Sequence, residues 1–120
     1  MNASLLAQSA YGRASSALRT PQAVEYDVFA RVTAALRRAD DPIERIRALH
    51  DNRRLWQHLA VSVADSDNAL PADLRARIFY LAEFTVQHTS KCMFEDASAD
   101  VLVDINTAIM RGLQQERAAA

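Results

Sequence analysis

Residues 41–64, DPIERIRALHDNRRLWQHLAVSVA, carry the strongest fold signal in the sequence. Asp41 is a residue type that caps helix N-termini, Pro42 suits the first helical position, and Glu44 completes a capping box. Apolar residues then recur at helical spacing, at Ile43, Ile46, Leu49, Trp56, Leu59, Ala60 and Val63. The stretch therefore predicts an amphipathic helix that begins at Pro42 and ends near Ala64.

Similar signals predict helices on both sides of this one. Thr20-Pro21 opens a helix that runs to about Ala39 with an apolar stripe of Val24, Val28, Val32 and Leu36. After the polar, turn-prone cluster 65–68, Leu70-Pro71 opens the next helix, about Pro71 to Met93. Ser98 is predicted to cap a last helix that keeps its apolar spacing up to Gly112.

A weaker helical pattern covers about Ser4 to Leu18, where Gly12 lowers helix stability by roughly 1 kcal/mol relative to Ala. We expect an N-terminal helix within residues 1–19 that is mobile or stabilised by a partner, and a frayed tail at 114–120. Half of the 120 residues are hydrophobic, with only two Gly and three Pro. This composition predicts an all-α fold: one domain, residues 1–120, as a single compact bundle of about five helices, mostly antiparallel neighbours joined by short loops.

The charge and cysteine content narrow the function classes. A formal net charge of −1 provides no global positive field for nucleic acid. The single cysteine, Cys92, cannot form an internal disulfide, and the N-terminus does not resemble a signal peptide. No apolar run approaches the roughly 20 residues that span a bilayer. We therefore expect a soluble cytoplasmic protein without membrane insertion.

Few side chains are candidates for catalysis or metal binding, and those few also have structural interpretations. His88 and Cys92, four apart on a helix, suit two corners of a zinc site or a Cys-His nucleophile pair, but further ligands and a glycine-rich turn are missing. We favour a structural, partly buried pair. No phosphate-binding glycine loop is present either. The sequence thus predicts no catalytic residue, no metal, no cofactor, no small-molecule substrate and no enzymatic activity.

Three further patterns leave alternatives open. The arginines around Arg53-Arg54 suit a phosphate-contacting face or, as we favour because acidic residues interleave with them, an ion-paired surface. Asn106, in a helix interior, suits a buried hydrogen-bonding pin better than a partner contact. The aromatic side chains are either core residues or the lining of a groove for an amphipathic partner helix.

Several segments together resemble the FlaF family, flagellar biosynthesis regulators of alphaproteobacteria. They are Ala10-Tyr11, Asn52-Arg53-Arg54-Leu55-Trp56, Asn68-Ala69-Leu70-Pro71, Leu81-Ala82-Glu83-Phe84 with His88, Asp104-Ile105-Asn106, and Met110-Arg111-Gly112-Leu113. No single segment is specific, but their order spans nearly the whole chain. The family offers no catalytic residues to carry over, and no role for Cys92 or the Arg53-Arg54 pair.

The resemblance implies a cytosolic protein needed for flagellin production and export, acting with the regulator FlbT and binding flagellin as an export chaperone. The alternative is a post-transcriptional regulator that acts through FlbT or flagellin messenger RNA. For the chaperone function we predict a partner-binding groove between the third, fourth and fifth helices. Its predicted residues are Trp56, Leu59, Tyr80, Phe84, His88, Ile105 and Ile109.

Overall fold

The computed structural model describes the backbone of residues 21–119 and the side chains of residues 26–115. This part of the chain contains four helices and no strand: α1 (Pro21–Arg38), α2 (Pro42–Ala64), α3 (Ala72–Phe94) and α4 (Asp100–Ala119). The all-α class is confirmed, with four helices in the described part against about five predicted for the whole chain. The predicted helix at Ser4–Leu18 and the predicted cap Thr20 lie outside the described residues.

The chain divides into two compact units. Residues 32–105 form the larger one, which we call the central unit. Described residues 21–31 and 106–119 belong to the other, which we call the terminal unit. Helices α1 and α4 each contribute residues to both units, whereas α2 and α3 lie entirely within the central unit. None of the described helices combines the length and the apolar composition needed to cross a membrane.

Helix α2 begins where its capping residues predict. Asp41 Oδ1 accepts a hydrogen bond from the backbone N–H of Glu44 at 2.8 Å, and Pro42 occupies the first turn. Glu44 Oε1 accepts from the N–H of Asp40 at 3.3 Å rather than from that of Asp41, so the reciprocal bond of the capping box is shifted by one residue. Both bonds satisfy N–H groups that have no partner within the helix.

Helices α2 and α3 form an antiparallel pair whose connecting loop is closed by Asn68. The Asn68 amide nitrogen donates to the Ser62 carbonyl at 3.0 Å, and its Oδ1 accepts from the N–H of Leu70 at 3.0 Å. At the same end of the pair, Arg75 Nη1 donates to the Asp65 carbonyl at 3.3 Å. The loop backbone is thus held by side-chain bonds, as polar turn residues allow.

Two predicted helix boundaries are corrected. Pro71 precedes α3, which starts at Ala72, because the Pro71 backbone is still extended with ψ 146°. Helix α4 continues past Gly112 to Ala119, since one glycine costs only about 1 kcal/mol and good helix formers follow it without a proline. The predicted frayed tail is therefore helical up to Ala119. As predicted, Ser98 caps the start of α4, because its Oγ accepts from the N–H of Asp100 at 3.1 Å.

The core of the central unit is built around Leu49, Cys92 and Leu102. Leu36, Met93, Ala97, Ala99 and Val101 pack against this cluster. Further along α2, the side chains of Asn52, Trp56, Leu59 and Val63 are also buried. In the terminal unit, Phe29 and Asn106 are buried, and Gln114 Nε2 donates to the Tyr26 hydroxyl at 3.2 Å. The burial of Asn106 agrees with the pin interpretation.

The first turn of α2 is tied to the end of α3 by Arg45. Its Nη1 donates to the Cys92 carbonyl at 3.0 Å, and its Nη2 donates to the Ala97 carbonyl at 2.8 Å. The guanidinium thus bonds the last turn of α3 and the loop that follows it. Hydrogen bonds from a charged donor are each worth about 1.5–3 kcal/mol when partly buried.

We expect Arg45→Ala to lower the free energy of unfolding by about 2–3 kcal/mol, because two backbone carbonyls lose a charged donor. Arg45→Lys should recover only part of this loss, since an ammonium group cannot reproduce the two-pronged geometry. Arg47→Ala, at an exposed position on the same helix, is the matched control and should change stability by less than about 0.5 kcal/mol. Urea unfolding followed by circular dichroism measures all three. Equal effects at the two positions would contradict the assigned role of Arg45.

Gly112→Ala should stabilise the protein by about 1 kcal/mol, because alanine is the better helix former at an interior helical position. A Cβ built on Gly112 meets no atom within 4 Å, so the added methyl group causes no clash. Thermal unfolding should show a higher midpoint for this variant. A lower midpoint would mean that the fold itself needs a glycine at this position and would contradict the prediction.

Candidate protein-binding surface

Two of the predicted partner-binding residues lie in the core. Trp56 has no exposed surface and Leu59 is 6% exposed, so neither can contact a partner of the folded chain. Their placement in the groove is therefore corrected. The reason is their phase on α2: Leu49, Trp56, Leu59 and Val63 follow one another at seven-, three- and four-residue intervals and share the buried face.

An exposed strip on α3 consists of Tyr80, Phe84 and His88, at successive four-residue intervals; we call it the α3 strip. Tyr80 is 68% exposed, Phe84 is 37% exposed and His88 is half-buried. The rings of Phe84 and His88 stack with centroids 5.6 Å apart and an interplanar angle of 12°. The strip therefore presents an aromatic surface that is partly ordered before any partner arrives.

The surroundings of the α3 strip are polar and carry charges of both signs. Exposed residues at three- or seven-residue spacing from members of the strip lie on the same side of the helix, and they are Arg77, Lys91, Gln87, Asp73 and Glu83. An apolar centre with a polar rim is the usual organisation of a protein–protein contact surface. The α3 strip has the chemistry of a surface that binds protein, with lateral charges of both signs able to meet charged groups of a partner.

His88 and Cys92 converge on one backbone group. His88 Nε2 lies 2.9 Å from the Ser98 carbonyl oxygen, and Cys92 Sγ donates to the same oxygen at 3.5 Å. Burial raises the pKa of the Cys92 thiol, and the positive charge of Arg45 only partly offsets this effect. The thiol is therefore protonated at neutral pH and a poor nucleophile. These contacts agree with the structural interpretation of the pair, which fixes the loop between α3 and α4.

Metal-ligating side chains do not converge in the described part of the chain. Among residues 26–115, no group of three or more His, Cys, Asp or Glu side chains is arranged to hold a metal ion. The other two histidines, His50 and His58, are both exposed on α2.

Ile105 and Ile109 are both half-buried on α4. Ile105 belongs to the central unit and Ile109 to the terminal unit, so the predicted set does not form one surface of a single unit. Of the predicted partner-binding residues, the structure brings together Tyr80, Phe84 and His88, and it assigns Trp56 and Leu59 to the core.

Sequence reasoning missed another group of exposed apolar residues at the opposite end of α3. Phe94 is 83% exposed, Ile46 is 53% exposed and Ile43 is 69% exposed. The two isoleucines had been predicted on the apolar stripe of α2. Phe94 directly follows the predicted end of its helix, and an apolar residue at a helix end next to acidic residues was the available signal.

Trp56 is buried and Tyr80 is exposed, so their replacement by alanine should have very different effects on stability. Trp56→Ala should destabilise the protein by about 3–5 kcal/mol, because it leaves a large cavity in the core. Tyr80→Ala should change stability by less than about 0.5 kcal/mol. Chemical denaturation of both variants measures the difference. Retention of wild-type stability by Trp56→Ala would contradict the core assignment.

Comparison with known proteins agrees with the resemblance noted in the sequence. The family model described as flagellar protein FlaF matches residues 7–113, which is most of the chain. No curated protein and no solved structure matches it. The matched range includes the whole α3 strip and both helices of the central pair. The chain therefore belongs to the FlaF family of flagellar proteins.

Proposed function

We propose that this protein is a flagellum assembly factor that binds flagellin in the cytoplasm and supports its synthesis and secretion as an export chaperone. The single observation that carries the proposal is the exposed α3 strip, taken together with membership of a flagellar protein family. The protein is not an enzyme in this proposal. It acts by covering apolar surface on its client.

The chaperone function has a simple physical basis. Flagellin subunits polymerise through amphipathic terminal segments that pack as helices, so an unassembled subunit needs its apolar stripes covered. A helical client can lay such a stripe along a neighbouring helix, with anchors at four-residue spacing meeting side chains of the same spacing. Tyr80 and Phe84 provide this spacing on α3.

The energetics favour the aromatic residues of the α3 strip as anchors. Aromatic side chains lose little conformational entropy on binding and bury a large area, which is why they dominate binding energies at protein interfaces. Phe84 is already restrained by its stacking on His88, and His88 lies 2.9 Å from the Ser98 carbonyl oxygen. A partner therefore meets a surface that is already partly ordered, and this reduces the entropy lost on binding.

A second candidate function is regulation of flagellin expression through FlbT or flagellin messenger RNA. The observation that favours it is that Arg47 and Arg54 are both exposed on one side of α2, with the exposed Asp51 between them. Such a face suits phosphate groups or an acidic partner. Its affinity should fall steeply with salt, whereas binding by apolar anchors should not.

Calorimetric titration with flagellin tests the proposal, using intact flagellin and versions that lack either terminal segment, at low and high salt. We expect binding that persists at high salt and is lost with one of the two segments. The double variant Tyr80→Ala with Phe84→Ala should weaken binding at least about tenfold, because each anchor contributes more than about 1 kcal/mol.

The matched control is Val61→Ala, which truncates an apolar residue that is 73% exposed on α2. It should bind flagellin like the wild type, and circular dichroism should show unchanged helicity in every variant. Unchanged affinity of the double variant would remove the α3 strip from the interface. Absence of any flagellin binding would shift the proposal to FlbT or RNA as the direct partner.

A further inference from the structure

A second surface of the central unit lies where the α1–α2 connection meets the end of α3. It surrounds an open cavity of about 660 Å³, which we call the acidic pocket. Ile46 and Phe94 supply exposed apolar walls, and Asp40, Glu95 and Asp96 lie on its rim. Phe94 lies six residues beyond His88, the nearest member of the α3 strip, which is about 9 Å at 1.5 Å per residue, and none of the three strip residues lines the pocket.

The floor of the acidic pocket is hydrogen-bonded and packed on the core. Arg45, which lines it, donates to the carbonyls of Cys92 and Ala97 at 3.0 and 2.8 Å. Cys92, which also lines it, is buried in the core cluster. One guanidinium group thus joins two helices and a loop at the floor of the cavity.

The charge of the rim has one sign. Asp40, Asp41, Glu95 and Asp96 all line the pocket and are all exposed. Arg45 is the single cation among the lining residues of the described chain, and its guanidinium is directed to backbone carbonyls. Among the described residues, no three His, Cys, Asp or Glu side chains form a group that could hold a metal ion. The rim is suited to cations that are spread over several ångströms, as they are on a peptide.

The apolar walls and the acidic rim together determine which class of partner can bind in the pocket. Nucleic acid and anionic membranes carry the same sign of charge as the rim and are repelled by it. An acidic helix is repelled for the same reason. A helix that places leucine-like residues on one stripe and Lys or Arg beside it satisfies both features, since its apolar stripe covers Phe94 and Ile46 while its cations meet the carboxylates.

We propose that the acidic pocket is a docking site for a basic amphipathic helix of a partner protein. This site is distinct from the flagellin-binding surface proposed for the α3 strip and does not depend on that proposal. The two surfaces differ in the chemistry of their rims, since the rim of the pocket is acidic and the surroundings of the α3 strip carry charges of both signs. The protein thereby has two recognition surfaces on one pair of helices.

The test uses a labelled amphipathic peptide of about 15 residues, near the length at which isolated helices form, with leucine on one face and lysine on the other. Its counterpart carries glutamate in place of lysine. Fluorescence anisotropy with the full chain should show binding of the Leu/Lys peptide and at least about tenfold weaker binding of the Leu/Glu peptide, because rim and peptide charges then repel.

Two variants of the chain locate the site. Phe94→Ala should weaken binding of the Leu/Lys peptide about tenfold through loss of an aromatic anchor, and the double variant Asp40→Lys with Glu95→Lys should weaken it at least as much. The matched control is Asp51→Lys with Glu83→Lys, which makes the same change in net charge at exposed positions outside the pocket. This control should bind like the wild type.

Three results would overturn the proposal. Equal loss of affinity in the two double variants would mean that net charge alone attracts the peptide. Equal binding of the Leu/Lys and Leu/Glu peptides would mean that the rim does not discriminate between basic and acidic helices. A concentration-dependent dimer that Phe94→Ala dissociates in sedimentation experiments would assign the pocket to a second copy of the chain. The flagellin titration uses variants of the α3 strip, so its outcome is independent of all three.

Discussion

The bond between Arg45 and the backbone at the end of α3 is the constraint on which the central unit depends. It connects residues that are far apart in sequence, at the first turn of α2 and at the last turn of α3 and the loop after it. The Asn68 loop fixes the other end of the same antiparallel pair. Bonds at both ends of the pair oppose sliding and rotation of α3, and this favours one orientation of its faces to the core and to solvent.

The size of the buried side chains explains why aromatic residues remain outside. The buried face of α3 consists of Ala82, Thr85, Thr89 and Cys92, which are all small. The buried face of α2 carries large residues, including Leu49, Trp56 and Leu59. Close packing pairs large residues with small ones, so the space beside α3 is filled by side chains of α2. Tyr80 and Phe84 thus remain on the outer side of α3.

The sequence predicts the elements well and the exposure of individual residues less well. The signals at Asp41-Pro42 and Ser98 are local, because caps depend on residues a few positions apart, and both are correct. The phase of Trp56 with Leu49 and Val63 was also visible, but we had predicted Trp56 in a partner-binding groove, and the structure places it in the core. The exposure of Ile43 and Ile46 was not predictable, because an apolar stripe on a helix is buried only where other parts of the chain pack along it. The acidic pocket unites residues about 50 positions apart, and no local pattern reveals it.

Both candidate surfaces follow from the same property of a small helical pair. Two helices can bury only one face each, and the apolar residues that remain outside reduce solubility unless something covers them. Charge then decides what covers each surface. At the acidic pocket, Asp40 and Glu95 discourage acidic partners, whereas charges of both signs surround the α3 strip. Because both surfaces lie on the rigid pair fixed by Arg45, occupation of one need not distort the other, so a protein with this arrangement is able to hold a client and a second partner at the same time.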